Sequence, residues 1–386
     1  MNVDKATIAV TGVGMVSTLG LDVVTSCAAA HAGLIRRNEL EFEVFDHNSG
    51  DSIAIKGCSV PQVTYGFEKM GRLIALGAAA FKDLLNRSLA KHWSENIGFV
   101  VHIGNRFYEN YQYEIELRQQ IKDSDIFAEV SKAYRSELAN QEEWAKHHFI
   151  ENLLKSVGGE REIGINQIFL GGSACANDTL QIVMNFLKEG KMKKCIFMTI
   201  DSLLETSMLE ALQQLGLLGS EVNPGGIIPG EAAACILLEK HKDINQSELK
   251  TLGIIETPFT RVSSNHRFSD NPPDPLALTT VIKNAIGSSP SPELIKELIG
   301  VNNGDRYRSS EISTTLVALS TQNVFTVNPV HVSACEAFGE IGAASLGVLI
   351  CMAVCGFERG YIQGPKVLLW MVSDDGKKGA VIISKT

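Results

Sequence analysis

A short strand that ends on two glycines and turns directly into a helix, with one cysteine on the turn, constrains this chain more than any other stretch. Residues 166–190 read NQIFLGGSACANDTLQIVMNFLKEG. Gln167-Ile168-Phe169-Leu170 is an apolar run with β character, and Gly171-Gly172 break it. Beyond Cys175 the residues Leu180, Ile182, Val183, Phe186 and Leu187 recur at three- and four-residue spacing, the period of a helix. Asn177 and Asp178 offer N-cap chemistry near its start. The free N–H groups of a helix N-terminus favour a thiolate over a thiol. Ser173, Ala174 and Ala176 are small enough to let a substrate reach the sulfur. Two readings of Cys175 stay open: a mounted nucleophile, or a small residue packed beneath a buried helix.

The flanking chain alternates strands and helices. A strand over Ala6 to Thr11 leads through Gly12-Val13-Gly14 to a helix from Val23 to His31. The two glycines lack the third glycine and the acidic partner of a dinucleotide fingerprint, so that reading is rejected. A helix over Met70 to Asn86 and a strand over Asn96 to Ile103 follow. Residues 106–160 are charged and aromatic and read as a polar helical excursion. Its adjacent His147 and His148 point apart on a helix, as a solvated face does and a metal site does not. Strand Cys195 to Ile200, helix Leu209 to Leu218 and strand Glu231 to Leu238 come next, and the polar run Glu239 to Glu248 reads as a connection. The second half repeats the theme. It has strand Leu252 to Ile255, helices Leu276 to Ile286 and Pro292 to Leu298, strand Ile299 to Asn302, helix Ser309 to Leu319 and strand Val324 to Val327. A small-residue helix from Glu340 to Cys355 and strands Val367 to Val372 and Ala380 to Ile383 close the chain. This alternation predicts a layered α/β fold from two similar halves with mainly parallel strands. The division falls at 1–245 and 246–386. Helices without a polar face, such as Ala343 to Val354, belong between sheets.

A net charge of −9 argues against nucleic acid or an anionic membrane as the main partner. The eight cysteines contain no CxxC pair, and Cys351 and Cys355 read as buried thiols on an apolar helix. No cofactor or metal is implied, and a reduced, cytoplasmic setting is expected. The N-terminus enters a strand without a signal-peptide pattern, and Leu346 to Cys355 is too short to span a bilayer.

Three ordered passages resemble the β-ketoacyl-acyl-carrier-protein synthases, condensing enzymes of the thiolase-like fold. Val10 to Gly20 is similar to that family's opening strand and turn. Gly172-Ser173-Ala174-Cys175-Ala176 is similar to its nucleophile turn. Leu209 to Glu231 with Ala232-Ala233-Ala234 resembles its helix, loop and GEGAG segment, and Gly342-Ala343-Ala344 resembles LGAAG in its second half. The resemblance implies a thiolase-like layered αβαβα fold with one half in 1–245, carrying the Cys175 turn, and the other in 246–386.

The departures from that pattern carry the functional expectation. The family pairs its cysteine with two histidines, in NAHGT and GHxLGAAG patterns. The first is matched by Val301-Asn302-Asn303-Gly304-Asp305, which puts Asn303 at the lost histidine. The second is matched by Phe338-Gly339-Glu340-Ile341-Gly342, which puts Gly339 there. The family's lysine falls near Ala334, and its GFGGTN turn is replaced by Ser373-Asp374-Asp375-Gly376-Lys377-Lys378. Decarboxylation of a malonyl thioester builds charge on an enolate oxygen, which two neutral imidazoles stabilise by donating hydrogen bonds. The Asn303 amide can still donate one, whereas Gly339 has no side chain. Losing one such donor costs about 10²–10³ in rate, so losing both leaves little condensation.

The resemblance therefore implies a degenerate ketosynthase of the chain-length-factor kind. Such a subunit pairs with a full-triad ketosynthase in polyketide, aryl-polyene or fatty-acid-type biosynthesis and shapes the growing acyl chain; a homodimer stays open. The alternative is a Cys175-dependent acyltransferase or thioesterase acting on carrier-protein thioesters, with an oxyanion hole from the Cys175 N–H and the C-terminal turn. A cysteine hydrolase of unrelated fold using Cys175 and His331 explains none of the other motifs. Glu340, beside the lost position, is a further acid/base candidate. Arg161 to Leu170 is the expected dimer edge, and Tyr108, Tyr111 and Tyr113 are candidates for the contact or the tunnel mouth. An acyl carrier protein is the other implied partner. Lys188, Lys191, Lys193 and Lys194, or Arg306, Arg308, Lys377 and Lys378, are the basic groups considered for its acidic helix. For the first set, lysines complementing a helix C-terminus are the competing reading.

Overall fold

The computed structural model describes residues 7–46, 50–89, 97–158, 164–241, 250–269 and 271–386. The strands are β1 (Ile8–Ser17), β2 (Asn38–Phe45), β3 (Ser52–Gly57), β4 (Ile97–Ile103), β5 (Asn166–Leu170), β6 (Lys194–Ser202), β7 (Glu231–Lys240), β8 (Gly253–Ile255), β9 (Phe259–Val262), β10 (Ile295–Gly300), β11 (Val330–Ser333), β12 (Lys366–Val372) and β13 (Lys377–Ser384). The helices are α1 (Val23–His31), α2 (Pro61–Thr64), α3 (Lys69–Leu84), α4 (Phe107–Gln120), α5 (Ser124–Val157), α6 (Ala176–Lys188), α7 (Thr206–Gln214), α8 (Leu276–Ser288), α9 (Arg306–Thr321), α10 (Ala334–Phe338) and α11 (Ser345–Arg359).

One topology occurs twice. The strand order is β11-β10-β12-β13-β8-β1-β7-β6-β4-β5, with β9 on β13. Read outward from the β8–β1 junction, each half runs first strand, last strand, fourth, second, third. The proposed boundary at 245/246 lies outside the described residues. Helices α6 and α11 each touch strands of both halves, so they occupy the middle of the sandwich, while α3 covers the first half and α8 the second. α11 can sit there because Leu346, Val348, Leu349, Ile350, Val354 and Phe357 leave it no polar face. The span Gly342–Arg359 is long and apolar enough to cross a membrane, and 78% of it is buried inside the fold.

Several expectations need correction. The sheet is mixed: β4–β5, β4–β6, β10–β11 and β10–β12 are parallel, whereas β6–β7, β7–β1, β1–β8, β8–β13 and β13–β12 are antiparallel. Gly12 and Gly14 do not form a turn but lie inside β1, where the register slips between Val10 and Gly12. Gly14 is needed for close packing, since a Cβ there would stand 2.3 Å from the Ala80 carbonyl oxygen of α3. The helix read over Pro292 to Leu298 is a single 3₁₀ turn followed by strand β10. Ile295, Leu298 and Ile299 imitate helical spacing, but sheet neighbours on both sides override it. The strand read over Val324 to Val327 is a loop, and the edge strand β11 starts beyond Pro329. The β2–β3 hairpin was not anticipated.

Candidate functional site

Strands β4 and β5 run parallel and end side by side, pairing Ile103 with Leu170. The chain then turns at Gly171-Gly172 into a 3₁₀ turn, Ser173–Cys175, which runs into α6. The second half holds this turn in place. The Ala174 N–H donates to Ser373 Oγ at 2.8 Å, and the Ser173 hydroxyl donates to the Val372 carbonyl at 2.9 Å. Asn177 and Asp178 do not cap the helix, because it already begins at the turn. Asn177 donates to the Ala174 carbonyl at 3.2 Å, and Asp178 pairs with Lys377 and accepts from Thr260.

This mount does not activate the thiol. Burial pushes the Cys175 thiol up, and nearby Asp375 adds to the rise against the opposing pull of Lys377. The Cys175 N–H is also occupied, donating to the Gly172 carbonyl at 3.1 Å, so the oxyanion hole anticipated from it is not formed. A Cβ on Gly171 would stand 3.0 Å from Cys175 Sγ and 3.3 Å from His102 Cε1, so sulfur and imidazole crowd the same point behind that glycine. His102 sits on β4 and was overlooked in the sequence because it lies in an apolar strand. Its Nε2 lies 3.2 Å from the Gly172 carbonyl and its Nδ1 3.0 Å from Thr179 Oγ1. A carbonyl only accepts, so Nε2 carries the proton and the Thr179 hydroxyl donates to Nδ1. Burial lowers the pKa of this ring to about 4, keeping it neutral and committed to those two partners.

On the other side of the Gly171–Ser173 turn lies a cavity of about 510 Å³, within the range of sites for chain-like organic ligands. Cys175 does not line it. Its apolar walls include Leu73, Ile103, Phe107, Leu138, Leu170 and Met208, so the α4–α5 excursion roofs it. Its floor is ionic. Arg308 pairs with Glu340 and donates from Nη2 to Asp374 Oδ1 at 2.9 Å, while Tyr108 OH donates to Asp374 Oδ2 at 2.6 Å. Behind them Arg267 bridges Asp374 and Asp305, each at 2.6 Å. Asp305 is also the N-cap of α9, accepting from the N–H groups of Tyr307 and Arg308, so the start of that helix aims the guanidinium. Burial alone would raise Asp374, but Arg308 and Arg267 overcome it and hold this carboxyl well below the usual range. Asp201 has no such cation. It accepts from the N–H groups of Ser202 and Ala343, and burial lifts its carboxyl to about 7, with Glu340 and Glu109 adding to the rise.

The residues at the two histidine positions contribute little to this space. Asn303 spends its amide on Glu340, donating at 2.9 Å. Gly339 has a left-handed φ of +72° and faces Ile228 and Cys58 instead; a Cβ on it would stand 2.9 Å from the Ile228 carbonyl oxygen. Glu340, the next residue, is the one this turn presents to the cavity. His331 stands exposed on the edge strand β11 beside a separate recess with Asn328 and Pro329. Tyr108 lines the cavity, whereas Tyr111 stacks on Phe268 and Tyr113 on Tyr134. Two of the anticipated surface cations are interior: Arg308 and Lys378 are 2% and 1% exposed, the latter paired with Glu311 at 2.8 Å. Lys191 and Lys194 pair with Glu189 and Glu239.

No family model matches the chain, and no curated protein matches it in sequence. Solved structures match it in fold. The ishigamide ketosynthase/chain length factor superposes with a TM-score of 0.70 at 13% identity, covering 99% of this chain and 100% of that one. A type II polyketide synthase acyl-carrier protein in complex with its ketosynthase bound to the hexaketide gives 0.70 at 15%, covering 99% and 100%. The ketosynthase from module 6 of the bacillaene synthase of Bacillus subtilis gives 0.70 at 11%, covering 98% and 72%. The chain thus has the layered thiolase-like fold of ketosynthases and their chain-length-factor partners.

Proposed function

We propose that this chain is a degenerate β-ketoacyl synthase that works as the chain-length-factor-like subunit of a ketosynthase heterodimer, in polyketide, aryl-polyene or fatty-acid-type biosynthesis. The observation that carries the reading is the buried Arg308–Glu340–Asp374 network on the cavity floor, in the part of the fold where the resemblance calls for two imidazoles. The Asn303 amide is already committed, Gly339 faces away, and the Cys175 thiol is held protonated behind Gly171. What remains is a largely apolar cavity whose walls limit how far an acyl chain extends.

A ketosynthase and an acyl carrier protein are the partners this role needs. β5 is the last strand of the sheet and pairs only with β4 among the described residues, which supports it as the contact edge with the ketosynthase. Arg161 to Ile163 of the proposed interface lie outside the described residues. A cytoplasmic setting is supported by the eight cysteines, all present as thiols.

Tandem-tag purification after co-expression with a full-triad ketosynthase tests the reading, together with intact-mass measurement after exposure to an acyl-carrier-protein thioester. A stable one-to-one pair, with Cys175 unacylated, is expected. Carbon–carbon bond formation by the isolated chain would overturn it.

A further inference from the structure

Two cysteines from opposite halves of the chain lie thiol to thiol. Cys27 sits in α1 and Cys355 in α11, helices that pack against each other, and the two residues are 5% and 4% exposed. Their thiols share a hydrogen bond in which Cys27 donates and Cys355 accepts. That bond lowers the Cys355 thiol against the opposing effects of burial and Glu358, and Arg87 and Arg359 pull it the same way. Donating pushes Cys27 up, and burial adds to the rise. One sulfur of the pair thus releases its proton readily beside another that keeps it. Burial pushes up each of the other six thiols, Cys58, Cys175, Cys195, Cys235, Cys335 and Cys351. Little separates the pair from solvent: Ala28, Ala29 and Ala30 are half-buried beside Cys27, and Glu358 and Arg359 are exposed at the end of α11. A thiolate with a second thiol against it oxidises to a disulfide in preference to a higher sulfur acid.

We propose that Cys27 and Cys355 form a reversible disulfide, a redox-controlled staple between α1 and α11, with a hydroperoxide as the oxidant. The Cys355 thiolate attacks one peroxide oxygen. An S–O bond forms, the O–O bond breaks, and the departing oxygen takes up the proton that Cys355 released. The Cys27 sulfur then attacks the sulfenic sulfur of Cys355. The S–S bond forms, the S–O bond breaks, and that oxygen leaves as water with the Cys27 proton. Two thiols lose two electrons in all, and hydrogen peroxide is reduced to two waters. The loop closed between residues 27 and 355 spans most of the chain, and the longer such a loop, the more freedom the unfolded chain loses. Neither cysteine lines the cavity, so the staple stands apart from whatever the cavity holds.

The test treats the full chain with hydrogen peroxide, blocks the remaining thiols by alkylation and reads the product by non-reducing peptide mass mapping. A species lighter by two hydrogens is expected, with the Cys27 and Cys355 peptides linked, and dithiothreitol should restore both thiols. The urea midpoint of the linked chain should lie above that of the reduced chain and return on reduction. Cys27→Ala should leave Cys355 as a sulfenic acid that dimedone labels, whereas Cys355→Ala should leave Cys27 unoxidised. Absence of the link, a link that forms only in the presence of urea, or a linked chain with no higher midpoint overturns the proposal. All three are read on the unsubstituted chain, so a variant that fails to fold does not shield the proposal.

Discussion

The Arg308 guanidinium and the Asp374 carboxylate meet 2.9 Å apart with both side chains 2% exposed, joining α9 to the turn after β12. Two charges removed from water cost several kcal/mol each, and their attraction repays this only when every other lone pair and proton is placed. Here Tyr108, Arg267 and Glu340 supply most of those partners. Arg308→Ala would strand Asp374 and Glu340 together, so a loss of about 3–5 kcal/mol is expected. Urea unfolding measures it, and a loss under about 1 kcal/mol would show that the network is not closed as described.

This network was the part least legible in the sequence. Its members are 32, 66 and 107 residues apart in the pairs Arg308–Glu340, Arg308–Asp374 and Arg267–Asp374. Nothing local marks a charge as buried, so Arg308 and Lys378 read as surface cations. The Cys175 turn was legible because strand, glycines and helix follow within a few residues, and the tertiary environment of its thiol was not. The same contrast holds in the fold. The central elements β6, β7 and α11 announce themselves by composition, whereas Gly14 inside β1 is explained only by the approach of α3.

Thiol reactivity offers a direct check on the site. Burial and Asp375 raise the Cys175 thiol, so the thiolate that alkylates is scarce at neutral pH. Iodoacetamide at pH 7 should modify Cys175 at least about tenfold more slowly than free cysteine, and the rate should climb as pH passes the ordinary thiol value of about 8.5. Asp375→Asn should speed it. Rapid, pH-independent labelling of Cys175, read by peptide mass mapping, contradicts this assignment.

Acid and base should act on the cavity floor with opposite signs. Asp374 titrates lower folded than unfolded, so its contribution is present above about pH 4 and is lost as pH falls through the folded value. Asp201 titrates higher, at about 7, so the folded chain holds a proton that the unfolded chain releases near pH 4. Stability therefore falls as pH rises between those values. The cavity admits water, which limits the effect to about 1–2 kcal/mol. The side-chain ¹³C resonance of Asp201 should titrate with a midpoint about 7, and Asp201→Asn should flatten stability between pH 5 and 8. A midpoint near 4 would show that burial does not raise this carboxyl.

Gly171 sets the distance between the turn and the groups behind it. A Cβ added there would stand 2.6 Å from Cys175 Cβ, 3.0 Å from its sulfur and 3.3 Å from His102 Cε1. Neither neighbour can yield cheaply. His102 is buried and held by Thr179 and the Gly172 carbonyl, and Cys175 lies on a 3₁₀ turn tied to Ser373 through Ala174. Overpacking of this kind costs about 1–3 kcal/mol, so Gly171→Ala should destabilise by that amount. Removing the obstructing side chain should recover most of the loss. The double variant Gly171→Ala, Cys175→Gly is therefore expected to be more stable than the two single changes predict by addition. Additive losses in that cycle, measured by urea unfolding, would show that the sulfur does not lie against the glycine.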